Sequence, residues 1–306
     1  MRDALCQALV EQAKRPDFIF LTGDLGYNAL EPLRAALGER FINAGVAEQN
    51  MVSAAAGLAT TGWRPWAYSI APFLYARPYE QIRNDVCLHD LPVRLAGNGG
   101  GYAYGVMGAT HHALEDYGAL LCLPNMNVFV PAFAPDVASA IGKLMDFEHP
   151  AYLRLGRAEE PRGYKPPIYA PWRRLFGGGG PAMLVVGPLA GALIEPLAGL
   201  DEARRPNLWV LSELPIEPET IPGQFMDDMR RSGHVFVVEE HVAQGGAGQA
   251  LARVLWTMGA APARFTHRHA RGYVSGRYGS QDFHRKECGL DPASVLAEVG
   301  RRHGLG

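Results

Sequence analysis

The acidic side chain best placed for chemistry is Glu48, in Gly45-Val-Ala-Glu-Gln-Asn50. It follows the strand-like Phe41-Ile42-Asn43 and opens an Ala-rich stretch from Met51 to Ala59. Two readings fit that setting. A carboxylate at a helix start is favoured by the helix dipole, and a carboxyl shielded by apolar neighbours has a raised pKa and can act as an acid or hydrogen-bond donor. A second group, Thr110-His111-His112, follows the glycine-rich run Gly97-Asn-Gly-Gly-Gly-Tyr-Ala-Tyr-Gly-Val-Met-Gly108. Adjacent imidazoles can move protons near neutral pH, or they can pack and cap. A third candidate is Arg157, in Leu153-Arg-Leu-Gly-Arg157. Its guanidinium can hold a phosphate or carboxylate through paired hydrogen bonds, or form a surface ion pair.

The surrounding pattern is that of an α/β protein. Residues 3 to 14 put Ala4, Leu5, Ala8 and Leu9 on one helical face. Phe18 to Leu21, Phe41 to Asn43, Trp66 to Ile70, Val93 to Ala96 and Val128 to Val130 read as short strands separated by helical or Gly-rich sequence. This alternation predicts a doubly wound domain over 1–165, with a mostly parallel sheet and helices on both faces. Pro166, Pro167, Pro171 and the run Gly177 to Gly180 mark a linker over 166–180. A smaller, mixed or parallel α/β domain is expected over 181–306, with strands at Ala182 to Val186, Leu208 to Leu211 and Val235 to Val238.

Composition excludes several classes. With 29 Lys+Arg against 31 Asp+Glu, the formal net charge is −2 and no block of one sign occurs, so neither nucleic acid nor an anionic membrane is an expected partner. Cys6, Cys87, Cys122 and Cys288 lie far apart without zinc-ligand spacing, so no metal site is expected on this chain and a reduced, cytoplasmic setting is. The start lacks the basic and apolar regions of a signal peptide, and no apolar run is long enough for a membrane helix. Glu239-Glu-His241 with Gly245-Gly-Ala-Gly248 is not a dinucleotide loop, because the spacing differs from G-x-G-x-x-G.

Several blocks together resemble the transketolase superfamily: Gly23-Asp-Leu-Gly26, Gly45-Val-Ala-Glu-Gln-Asn50, Gly108-Ala-Thr-His-His-Ala-Leu-Glu-Asp116 and Leu123-Pro-Asn-Met126. Val237 to Gly248 and Tyr278-Gly-Ser-Gln-Asp282 are similar to that family's C-terminal domain. The likeness spans nearly the whole chain. It extends to deoxyxylulose-phosphate synthases and to β subunits of 2-oxoacid dehydrogenase E1 components. It implies that Glu48 binds N1′ of the aminopyrimidine of thiamine diphosphate and sets its tautomer. Phe73 is implied to lie against the ring, with Tyr75 or Tyr68 nearby and Ile70 where an aromatic is usual. His111 and His112 are implied to contact the substrate's reacting oxygens, and Arg157 its phosphate.

The family's Gly-Asp-Gly motif, which holds Mg²⁺ and the diphosphate, is missing, since Asp24 is followed by Leu25. The resemblance therefore implies a partner subunit carrying the diphosphate and Mg²⁺ site, with a homodimer core and an α2β2 assembly. Met107 and Gly99 stand where sugar-processing members have an Asp and a His, and neither replaces those contacts. The implied function is a split transketolase that moves a two-carbon ketol unit from a ketose to an aldehyde. The alternatives are an E1 β-like subunit passing an acyl or glycolyl unit from a 2-oxoacid or ketose to a thioester carrier, and a non-catalytic assembly subunit.

Overall fold

A computed structural model of the chain describes residues 1–26 and 28–300. The strands are β1 (Phe18–Thr22), β2 (Phe41–Asn43), β3 (Arg64–Ile70), β4 (Arg94–Asn98), β5 (Asn127–Phe129), β6 (Ala151–Leu155), β7 (Trp172–Phe176), β8 (Ala182–Val186), β9 (Asn207–Leu211), β10 (Glu213–Leu214), β11 (His234–Val238) and β12 (Arg264–Arg268). They form a seven-stranded sheet, β10-β5-β6-β4-β3-β1-β2, and a five-stranded sheet, β12-β11-β8-β9-β7. Pairing is parallel throughout except at one edge of each sheet, where β10 meets β5 and β7 meets β9 antiparallel. This is the two-unit α/β architecture expected.

Strands covered on both faces are apolar at nearly every position, which is why they stood out in the sequence. Phe18, Phe20, Trp66 and Tyr68 point into one core layer, while Leu21 and Ala67 point into the opposite one. Helix α1 (Arg2–Gln12) covers the first layer with Leu5, Cys6, Ala8 and Leu9. After α2 (Glu31–Leu37) and β2, helix α3 (Glu48–Thr60) buries Met51, Val52, Ala55, Ala56 and Ala59, a stripe at helical spacing. Its small side chains let it lie close on β3.

Two differences from the expected layout have clear causes. The segment expected as a linker, 166–180, contains β7: Trp172 is buried, and Arg173 makes a buried ion pair with Asp136 at 2.5 Å. An edge strand needs only one row of hydrogen bonds, so flanking prolines and glycines do not prevent it. Moreover, β10 leaves the second unit to extend the first sheet, and the apolar layer beneath it includes residues of both units, such as Ile82, Leu120, Trp209 and Phe225. The unit expected over 181–306 is described as far as residue 300, and 301–306 lie outside the described residues. Among the described residues no helix is long and apolar enough to cross a membrane.

Candidate active site

Four loops leave the C-terminal ends of neighbouring parallel strands, the usual place for ligand contacts in such sheets. The loop after β2 leads to Glu48, the first residue of α3. Strand β3 ends at Ile70 and runs into α4 (Ala71–Tyr75), which carries Phe73. The loop after β4 holds Gly99 through His112, and β6 is followed by Gly156-Arg157. Residues far apart in sequence thus share one edge of the sheet.

Glu48 is only 4% exposed, yet its carboxylate has a single side-chain partner among the described residues. Arg77 donates from Nη1 to Oε1 at 2.8 Å. The same guanidinium lies over the Phe73 ring, 3.8 Å from its centroid. Phe73 and Arg77 are one helical turn apart, so the pair is local, whereas the contact with Glu48 is tertiary. Behind the carboxylate, the backbone of Gly23 is bordered by Glu48 Cγ and by Ser69 Oγ. That hydroxyl is buried without a hydrogen-bond partner among the described residues. In front, Val46, Ala47, Gln49, Asn50 and Arg77 line an open depression of roughly 510 Å³.

The Phe73 ring meets His111 edge to face, with centroids 5.2 Å apart. His111 Nδ1 pairs with Thr110 Oγ1 at 2.9 Å, which leaves Nε2 without a partner among the described residues. Tyr104 flanks the other side of His111, at 5.8 Å between centroids. Gly99 has φ +84°, and a Cβ there would fall 2.1 Å from Tyr104 Cε2, so the tyrosine ring occupies the room that a side chain at this position would need. Beyond Tyr104, a cavity of roughly 300 Å³ is lined by Arg2, Asn98, Gly99 and Arg157. Arg157 is exposed there. Glu48, Phe73, His111 and Arg157 therefore follow one another along a continuous line of contacts and cavities.

Other expected site residues are turned elsewhere. Tyr75 is two residues from Phe73 on a helix, which rotates it to the far side. It enters the core and donates to Glu115 Oε2 at 3.2 Å. Tyr68 lies on the opposite face of β3, against Phe20. Ile70 is half-buried at the end of β3, where its backbone sits beside Asn98. His112 is also a correction: its ring is 3% exposed and both nitrogens are occupied. Nε2 donates to Gly105 O at 2.8 Å, and Nδ1 accepts from Tyr273 Oη at 2.9 Å. Burial lowers its pKa and keeps the imidazole neutral. With Tyr102, Tyr273 and His284 it pins the glycine-rich loop to the second unit, so it has no free nitrogen to offer a substrate.

A second set of buried polar groups lies between the two units. Glu239 accepts from Tyr117 Oη, from the backbone of Ala247 at 2.8 Å and Gly248 at 2.9 Å, and from His267 Nε2 at 2.6 Å. Burial pushes its pKa up, but the hydrogen bond from His267 and the nearby His241 outweigh this and hold it below the usual carboxylate value. His241 stacks on Tyr117 and is kept neutral by burial, with Nδ1 donating to Val242 O and Nε2 accepting from Gly118 N. Arg154 pairs with Asp116 at 2.7 Å and also donates to the backbone of Ala113 and Glu240. Among the described residues no three His, Cys, Asp or Glu side chains are grouped as metal ligands.

Reading the sequence alone missed Arg77 and Ser69. The signal available for Arg77 was a cation four residues after an aromatic; for Ser69 there was none, since its burial against the backbone of Gly23 is tertiary.

Residues 1–161 match the family model described as the transketolase pyrimidine binding domain. The chain is 31% identical over 307 residues to a putative transketolase C-terminal section of Methanocaldococcus jannaschii, covering 98% of this chain and 95% of the other. It is 29% identical over 273 residues to an apulose-4-phosphate transketolase subunit of Actinobacillus succinogenes, covering 87% and 86%. A solved split gene transketolase in an inactive beta4 tetramer superimposes with a TM-score of 0.81 at 30% identity, covering 98% of this chain and 96% of that one.

Proposed function

Because the chain belongs to the transketolase family, we propose that it is the C-terminal, β-type subunit of a split thiamine diphosphate-dependent transketolase. The observation that carries this reading is Glu48: a buried carboxylate with one partner, beside a flat aromatic face and a histidine with a free nitrogen. The Arg77 guanidinium, a planar, cationic hydrogen-bond donor, stacks on Phe73 while bonding Glu48, which supports the fit, because a protonated aminopyrimidine would ask for the same two contacts.

Bound there, thiamine diphosphate supplies the stabilisation of negative charge that lets a bond beside a carbonyl break. Glu48 holds a proton at pyrimidine N1′ and so selects the ring's tautomer. Phe73 orients the ring, and His111 presents Nε2 to the substrate's oxygens to polarise them. Arg157 takes a phosphate or carboxylate at the far end of the substrate. The diphosphate and Mg²⁺ are assigned to a partner subunit resembling the N-terminal half of transketolases, because this sequence lacks Gly-Asp-Gly. The inactive beta4 state of a relative of similar length supports that division, and α2β2 is the proposed assembly.

The proposed reaction moves a two-carbon ketol unit from a ketose to an aldehyde. Exposed Met107, and Tyr104 filling the space at Gly99, favour a second reading in which an acyl unit passes to a thioester. Turnover of xylulose or fructose phosphates against a 2-oxoacid, with the partner present, separates the two. For the first claim, Glu48→Gln in the assembled enzyme is expected to lower kcat by roughly 10²–10⁴-fold, the range for a lost acid–base group. Full activity of that variant rejects the role given to Glu48.

A further inference from the structure

We propose that Arg77 is an internal occupant of the pyrimidine site, a side chain that the cofactor's ring must displace and that thereby sets cofactor affinity. The inference rests on the function proposed above. The contacts of Arg77 are those a pyrimidinium needs: 2.8 Å to Glu48 Oε1 and 3.8 Å to the Phe73 ring centroid. A guanidinium is flat, delocalised and always charged, so it can stack and donate in one plane as the protonated ring does. Glu48 Oε2 stays open while Arg77 is in place, but the face of Phe73 under the guanidinium can carry only one flat group, so a ring stacked there requires Arg77 to move.

The arrangement also has a physical purpose. Without a ligand, Glu48 is a carboxylate 4% exposed, and an unpaired charge at that depth is strongly unfavourable. Arg77 neutralises it from the solvent side, since its own side chain remains 44% exposed. Its release therefore asks for little rearrangement. It sits at the end of α4, beyond the last helical residue Tyr75, and no other ion pair holds it among the described residues. Arg77 occupies only Oε1 of Glu48, so the internal occupant leaves the carboxylate with capacity for a second donor.

The test is calorimetric titration of thiamine diphosphate, with Mg²⁺, into the chain assembled with its partner subunit. Arg77→Ala is expected to tighten binding by roughly tenfold, the combined scale of one exposed ion pair and one cation–π contact. Arg77→Gln, which keeps a planar donor but loses the charge, is expected to fall between Arg77→Ala and the parent. Glu48→Ala is expected to weaken binding, and Arg77→Ala added to it to have little further effect. If Arg77→Ala binds the same or more weakly while Glu48→Ala binds weakly, Arg77 is no internal occupant and the function of Glu48 stands. If Glu48→Ala leaves affinity unchanged, the pyrimidine site itself is elsewhere and both ideas fall. Folding of each variant is read from its thermal midpoint, and the Gln variant decides the matter if the Ala variant does not fold.

Discussion

Glu48 and Glu239 are both buried carboxylates at the C-terminal edge of a parallel sheet, yet they differ in what surrounds them. Glu239 is enclosed by a tyrosine, a histidine and two backbone N–H groups, so every lone pair it directs inward is used. Glu48 is buried to nearly the same degree but has one removable partner and a depression in front of it. Burial alone therefore does not mark a site. A saturated carboxylate holds elements together, whereas an unsaturated one has capacity left for a ligand. The adjacent histidines repeat the contrast: both nitrogens of His112 are used and Nε2 of His111 is free.

The most severe way to break the comparison is to remove the saturated member. Glu239→Ala strands a phenol, a histidine and two helix-start N–H groups, and is expected to cost about 3–5 kcal/mol in urea or guanidinium unfolding. A loss below about 1 kcal/mol would mean that the enclosed network does not hold the units together. Next in size, His112→Phe keeps the ring's packing but removes one of the two hydrogen bonds to Gly105 O, which keeps the one from Gly108 N, and leaves Tyr273 Oη without a partner among the described residues. About 1–3 kcal/mol should be lost, with a smaller change in KM than in stability.

Acidification sharpens the contrast from another side. His112 and His241 have folded pKa values below the ordinary 6.5, so unfolding lets them take up protons that the fold refuses. Their contribution is present above about pH 6.5 and falls as the pH drops below it. Glu239 has a folded pKa below 4.5, so its contribution is present above that pH and is lost on further acidification. Melting temperatures measured from pH 8 to about pH 3 should decline below 6.5, and Glu239→Gln should flatten the part of the curve below 4.5. The smallest effect is expected at the open carboxylate: Glu48→Gln should change unfolding free energy by less than about 1 kcal/mol, because its ion pair is half in solvent. A loss as large as that of Glu239→Ala would make Glu48 a structural residue.

Much of the fold was legible because its central strands are covered on both faces. Phe18–Thr22, Ala182–Val186 and His234–Val238 are nearly unbroken apolar runs. Arg264–Arg268 was not legible: it pairs only with β11 and alternates with charged and polar residues, as an edge strand can. Trp172–Phe176 was hidden among prolines and glycines for the same reason. At the site, Glu48 and His111 were legible as residue types in a motif. Tyr75 was misread because the motif does not specify helical phase, and two residues along a helix reverse the direction of a side chain.

The sequence by itself determined the parts: two α/β units, the order of the motifs, and a chain with Glu48 at the start of an Ala-rich helix but no Gly-Asp-Gly. Those are properties of local pattern, in which apolar periodicity and turn residues act over a few positions. Only the tertiary structure decided which carboxylate is closed and which is open, and which histidine keeps a free nitrogen. It also decided that Arg77 stands between Phe73 and Glu48. These depend on side-chain direction and on partners from remote loops, and a bond such as Arg77 to Glu48 exists only after β2 and β3 have brought their following helices to the same edge.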